Sequence, residues 1–414
     1  MLARTAVIAS LAVAACATAP EPAHRLVTPE AAATLKADMR AYVDRDNAPG
    51  IITYVVEDGE VILADAYGVA DVSTGAPMRT DTLIRIASLT KPITTAALLM
   101  LHEEGKWDLD DPVAMYIPEF EGLQVADAEG RLSPAAHAPT MRELLTHTGG
   151  FVYGLGAHPS DIAYRESNVL DRDTDMDTMI AKMAAIPLKH QPGTVWEYSA
   201  STDIAGALVE RIAGQPFDVF LRERLFEPLG MTDTDFYVRP DAIGRAAALH
   251  APSPEGGGFV VAGNSGFAEV GGEFTTMPGL PSGGGGLWST VEDYTRFLQM
   301  LLNGGELDGV RYLEPETVEL MLTDQLPDGL TATASVRRAG FSFGFGIAAE
   351  QSESGQALPG GMISWPGIFG VYWWADRDED LMVFTVMQVP VTGARGKENL
   401  GEAGPASLYG ALGE

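Results

Sequence analysis

Ser88-Leu89-Thr90-Lys91 stands at the head of a long apolar run, Pro92 to Glu104, that reads as a mostly buried helix. Residues three apart share a helical face, so the Ser88 hydroxyl and the Lys91 amine can meet. At a helix start the dipole also favours the alkoxide that nucleophilic attack requires. An ordinary lysine, with a pKa of about 10.4, is protonated at neutral pH. Acting as a base near pH 7 needs a downward shift of about 3 units, roughly 4–5 kcal/mol, from burial or a neighbouring cation. The stretch Ile93 to Leu101 is apolar enough to supply the burial. Alone, the spacing is a weak signal: 18 Ser and six Lys produce such a pair by chance in roughly one chain of this composition in four. The surroundings have to decide.

Upstream, Thr28-Pro29-Glu30 is a helix start with an N-cap and Pro in the first turn, followed by Leu35, Met39, Tyr42 and Val43 at helical spacing. Ile51 to Glu57 and Glu60 to Tyr67 then flank Asp58-Gly59, a two-residue hairpin signal. Downstream, residues 108–254 are rich in Pro, Gly and short helical runs, among them Asp177 to Ile186, Thr202 to Ala213 and Pro216 to Phe226. Ser289-Thr290-Val291-Glu292 reads as a capping box for a helix whose Tyr294, Phe297, Leu298 and Leu301 share a face. Phe341 to Glu350, Met362 to Ser364, Val371 to Ala375 and Leu381 to Val389 read as strands. Strands at both ends with helices between them predict one α/β (α+β) layer structure interrupted by a helical insertion. The expected division is an α/β domain from residues 28–107 and 255–414, with 108–254 as the inserted domain.

The chain has 414 residues and 46% hydrophobic composition, enough to bury a large core, which excludes wholesale disorder. Its formal net charge of −30 reflects a shortage of lysine, six beside 21 Arg, against 57 Asp and Glu. Such an imbalance argues against a nucleic-acid partner, which needs a basic surface. Met1-Leu2-Ala3-Arg4, an apolar run from Ala6 to Ala15, and then Cys16 have the marks of a secretory signal over residues 1–15. Ten helical residues reach only about 15 Å, too short to span a membrane. Val13-Ala14-Ala15-Cys16 resembles the lipobox of bacterial lipoproteins. That resemblance implies lipidation of Cys16, a tether over residues 16–27, and a position on the periplasmic side of a bacterial membrane, most simply the outer one. Any membrane contact would run through that anchor alone. As the single Cys, Cys16 leaves no disulfide framework within the chain.

Rival chemistries are poorly supported. The seven His are scattered, and His102-Glu103-Glu104-Gly105-Lys106 fails the metalloprotease spacing, so neither a metal nor another cofactor is expected. Gly283 to Gly286 lack the Lys-Ser/Thr of a phosphate loop and read as a flexible lead into the next helix. Gly340-Phe341-Ser342-Phe343-Gly344 matches GxSxG, but that motif needs a strand, a turn and a helix, with a His further on. The last His is His250, and Ser342 reads as an outward residue on a strand.

Other stretches lend Ser88 its context: Leu144-Leu145-Thr146-His147-Thr148-Gly149-Gly150, Gln191-Pro192-Gly193, Tyr198-Ser199-Ala200, Phe226-Glu227-Pro228-Leu229-Gly230-Met231, Gly284-Gly285-Gly286-Leu287 and Trp365-Pro366-Gly367. With them, the chain from Thr28 to at least Val389 resembles the serine hydrolases built on the class C β-lactamase and penicillin-binding fold, nearest to the family VIII carboxylesterases. The resemblance implies an antiparallel sheet flanked by helices. It makes Ser88 the nucleophile, Lys91 its base partner and Tyr198 a proton relay. Trp365, Gly367 and Ala200 fall in the substrate pocket. Because Pro366 has no N–H, the implied oxyanion donors are the amides of Ser88 and Ile368. Such donors are typically worth about 3–4 kcal/mol in the transition state.

Two positions depart from the lactamase pattern. Ala200 replaces an Asn that contacts the lactam side chain, and Trp365 replaces a cation that binds a substrate carboxylate. The expected substrate is therefore a small, uncharged, short-chain acyl ester. A β-lactam or D-alanyl peptide, cleaved at an amide, is the alternative; a non-catalytic sensor or binding protein on the same fold is another. His147 and Asp203 read as structural, the latter favouring its helix through the dipole. The oligomeric state is not legible.

Overall fold

A computed structural model describes residues 26–262, 274–330, 340–347 and 361–390. Cys16, the leader and nearly all of the tether lie outside the described residues. Thr28 caps α1 (Pro29–Asp44) by accepting a hydrogen bond from the Ala31 amide. β1 (Gly50–Glu57) and β2 (Glu60–Asp71) form the hairpin signalled by Asp58-Gly59, whose φ angles of 52° and 71° are those of the hairpin's primed turn.

β1 is buried at every position, which follows from its place in the middle of the sheet. The strands run in the order 346–347, 363–364, 371–376, 381–386, β1, β2, 76–77, each antiparallel to its neighbour. Ile52 pairs with Val386 and Val55 with Val383, so the two ends of the chain meet at the centre of one sheet. Side chains alternate across it. Ile52, Tyr54 and Val56, with Met382 and Phe384, enter the main core, while Ile51, Val55 and Val383 pack beneath Leu35, Met39 and Tyr42 of α1.

On the main-core face lies α2 (Thr90–Glu103), buried at every residue from Thr90 to Leu101. A helix so apolar on all sides needs cover all round. The sheet supplies it on one side and the helix Ser201–Ala213 on the other. Short helices at Met141–Leu145, Pro159–Glu166, Met176–Ala184 and Phe217–Leu221 lie in the same part of the chain, and their apolar residues join those of the sheet in one continuous core. The turn of a small hairpin, His250–Pro252 with Phe259–Val261, holds residues 254 and 255. No helix among the described residues is long and apolar enough to cross a membrane.

Two local expectations change. The helix Val291–Leu302 is capped by Thr290, which accepts from the Asp293 amide at 3.1 Å. Ser289 is instead engaged with the Thr234 hydroxyl at 2.7 Å and the Thr290 carbonyl at 3.1 Å. Of the strand expected over Phe341 to Glu350, only Gly346–Ile347 forms within the described residues. Gly340 and Gly344, at φ 105° and 108°, turn the backbone where a strand would continue, and residues 348–350 lie outside the description.

Candidate active site

The approach to Ser88 is a short strand, Ile84–Arg85, paired with Trp288–Ser289. Ala87 follows in the left-handed region at φ 48°, a conformation costing an L-residue about 1–2 kcal/mol. The chain then winds through a single turn, Ala87–Leu89, into α2, leaving Ser88 half-buried at the corner. Distant segments hold this turn. Gln388 brackets Arg85, accepting from its amide at 3.0 Å and donating to its carbonyl at 3.2 Å. The Ile86 amide donates to Leu287 at 3.1 Å. Gly367 passes so close that a Cβ there would stand 2.8 Å from the Ile86 carbonyl oxygen, which explains the glycine. Ile368 shares a small apolar cluster with Ala87. Among the described residues, neither the Ser88 nor the Ile368 amide donates a backbone hydrogen bond.

Ser88 Oγ accepts a hydrogen bond from the Tyr198 hydroxyl at 2.7 Å. Lys91, only 1% exposed, directs its ammonium elsewhere: it donates to the Gly284 carbonyl at 2.5 Å and lies 4.8 Å from the centre of the Tyr198 ring. Thus Tyr198 touches Ser88, and Lys91 stands behind Tyr198 without a hydrogen bond to Ser88.

Gly283 to Gly286 are pinned rather than flexible. The Gly283 carbonyl accepts from Thr94 Oγ1 at 2.8 Å, and the Leu287 amide donates to Thr90 Oγ1 at 3.2 Å. Asp203, buried in the first turn of its helix, accepts from the Gly284 amide at 3.0 Å and from Ser282 Oγ at 2.5 Å through one oxygen. Its other oxygen accepts from the Tyr153 hydroxyl at 3.2 Å. A Cβ on Gly284 would lie 2.3 Å from that carboxylate, so only glycine fits. Asp203 therefore does more than favour its helix: it fixes Gly284, the residue whose carbonyl receives Lys91.

Tyr198 is held in an aromatic nest. Its ring stacks on Tyr153 with centres 5.5 Å apart, and it also meets Trp365 at 5.4 Å and His147 at 5.1 Å. Half-buried Trp365 donates its indole N–H to the Tyr198 hydroxyl at 3.4 Å. Beneath them lie Trp196 and Phe341. His147, at φ 57°, accepts from the Ser199 amide through Nδ1 at 3.3 Å. Burial, aided by the nearby Lys91 charge, pushes its pKa down to about 3, so it is neutral and braces the Tyr198 segment. Ala200 has no exposed surface; its amide donates to Val152 and its side chain packs into the main core, so it is not a wall of an open pocket. Ser342 is also fully buried, and it lies in a turn rather than on a strand: its amide and hydroxyl both donate to the Phe345 carbonyl, at 2.8 and 3.2 Å.

The sequence profile of the beta-lactamase family aligns with residues 35–404. The chain belongs to the beta-lactamase family. It is 38% identical to Protein Rv1367c of Mycobacterium tuberculosis over 85% of this chain and 89% of that protein. Against Esterase EstB of Burkholderia gladioli it is 32% identical, over 84% and 88%. In fold it is similar to EstCE1, described as a hydrolase with promiscuous acyltransferase activity, with a TM-score of 0.76, 24% identity and coverage of 92% and 98% of the two chains. Membership of the beta-lactamase family, with esterases among the relatives, supports a hydrolase.

Sequence reading named Ser88, Lys91 and Tyr198, which the fold of this beta-lactamase-family chain brings together, but missed the support beneath them. Asp203, Tyr153 and Gln388 act through contacts of long sequence separation, which no local pattern announces. The one available signal was the glycine run itself, since consecutive glycines also mark backbone that another group approaches closely. Among the described residues, no group of three or more His, Cys, Asp or Glu stands where it could hold a metal ion.

Proposed function

We propose that the protein is a carboxylesterase acting on short-chain acyl esters through an acyl-enzyme on Ser88. The observation that carries this reading is the 2.7 Å contact between Tyr198 and Ser88 beside a buried lysine. Tyr198 and Lys91 together take the Ser88 proton as Oγ attacks the ester carbonyl, and they return it to the departing alcohol. The amides of Ser88 and Ile368 receive the developing oxyanion. The same pair then takes a proton from water, which attacks the acyl-enzyme and releases the acid. Asp203 is a positioning residue: through Gly284 it sets the height of Lys91 beneath Tyr198.

Preference for a neutral ester rests on Trp365, an aromatic surface where a cation would be needed to hold an anionic lactam or peptide. The likeness to Esterase EstB supports the same choice. Hydrolysis of p-nitrophenyl butyrate, nitrocefin and a D-alanyl-D-alanine peptide, compared by kcat/KM, tests it. The butyrate is expected to be the best substrate; a higher value for either amide substrate overturns the ester assignment, and no turnover of any overturns the enzyme reading. We also propose export with lipidation at Cys16, for which palmitate labelling lost in Cys16→Ser is the expected result.

A further inference from the structure

Ile84 and Ile86 point into the main core, so Arg85 between them points to the opposite face of the nucleophile strand, onto Trp288 and Phe274. Its guanidinium carbon lies 4.1 Å from the Trp288 ring centre and 5.4 Å from that of Phe274. Arg85 is only 6% exposed, yet among the described residues it forms no ion pair. Nη1 donates to the Ala247 carbonyl at 3.1 Å, Nε is sealed in without a partner, and Nη2 has no hydrogen-bond acceptor among the described residues. Burial, with the neighbouring Arg172 charge, lowers its pKa to about 10, which still leaves it protonated at neutral pH. A buried cation without a counter-ion is costly unless something completes it.

Arg85 lines a cavity of about 320 Å³. Ile243, Leu249, Val261 and Phe274 make its walls apolar, and Asp71 stands among them. The Asp71 carboxylate is kept ionised by the Ser73 amide and hydroxyl, each at 2.7 Å. None of Ser88, Lys91, Tyr198 and Trp365 lines this space. The volume is near the lower end for ligand pockets, the walls suit a hydrocarbon body, and a guanidinium edge matches a carboxylate. The negative charge of Asp71 disfavours a second anionic group on the same ligand.

We propose that this cavity is a second, non-catalytic binding site for a small monocarboxylate with an apolar body, its carboxylate on Arg85 and its chain against Ile243, Leu249 and Val261. The site does not depend on the esterase assignment, although the acid released by such an enzyme belongs to this chemical class.

Calorimetric titration of the full-length Ser88→Ala protein with hexanoate, and with hexanol as its uncharged counterpart, tests the proposal. Hexanoate is expected to bind once per chain, and hexanol weaker by about tenfold or more. Adding Arg85→Met should abolish hexanoate binding. Because that change touches a buried residue, Ala248→Leu provides a second arm, filling the cavity from its rim while leaving Arg85 in place, and it too should abolish binding in a protein whose circular dichroism is unchanged. Absence of saturable hexanoate binding overturns the proposal, as does equal affinity for hexanol. Binding that survives Ala248→Leu but is lost in Trp365→Ala also overturns it, by placing the acid in the catalytic cleft.

Discussion

Ser88 and Ser342 each sit in a tight turn with a positive φ close by, at Ala87 in one case and Gly344 in the other. Ser88 is half-buried, and the phenol of Tyr198 is its hydrogen-bond partner. The Ser342 hydroxyl has no exposed surface and donates to the Phe345 carbonyl, an acceptor that can take no proton from it at neutral pH. One turn runs into a long buried helix that brings a lysine; the other doubles back on itself beneath Trp365. What separates the serine proposed as nucleophile from the structural one is thus access and a phenol neighbour, the latter supplied from elsewhere in the chain.

That contrast can be broken most sharply by exchanging each hydroxyl for hydrogen. Ser88→Ala should lower kcat/KM for p-nitrophenyl butyrate by about 10⁴-fold or more, to the residual level of binding and oxyanion donors. Ser342→Ala should leave it near wild type. Next in size, Tyr198→Phe keeps the aromatic nest but removes the hydroxyl on Ser88, and should cost roughly 10²–10⁴-fold in kcat with little change in KM.

His147 sharpens the comparison through pH, because its Nδ1 holds the Ser199 segment beside Tyr198. Its folded pKa of about 3 lies below the ordinary histidine value, so the native state favours the neutral ring. The stability this contributes is complete above pH 6.5 and is lost as the pH falls from there toward 3, by about 2 kcal/mol at pH 5. Asn tolerates the positive φ at this position, so His147→Asn should show a smaller drop in urea midpoint between pH 7 and pH 5 than the wild type. Asp203→Asn should reduce kcat by roughly tenfold while KM holds, and should shift the pH–rate profile, because the peptide beneath Lys91 loses its ionic anchor. A KM effect with an unmoved profile would make Asp203 merely structural. The smallest effect belongs to Ser342→Ala as a stability change, about 1 kcal/mol for one buried hydrogen bond, read from thermal unfolding.

Where turn chemistry and local pattern coincide, the fold was readable from sequence. Asp58-Gly59 named its hairpin, Thr28-Pro29 its helix, and the apolar run after Lys91 its buried helix. Errors arose where a distant partner decides. Ser289 and Thr290 are equally good caps on paper, and Thr234, 55 residues away, engages the first of them. Gly283 to Gly286 looked mobile because their partners, Thr94, Lys91 and Asp203, lie far along the chain. Ala200 was expected in the pocket because the family resemblance puts it where lactamases carry an Asn, but here the residue is fully buried at the start of its helix.

Intact-mass labelling with a fluorophosphonate puts the central claim, that Ser88 carries the acyl group, to its most direct test. Wild-type protein and Ser342→Ala should each gain one phosphonyl adduct, with Ser88→Ala unlabelled. An adduct on Ser88→Ala, or its loss only in Ser342→Ala, would contradict the account.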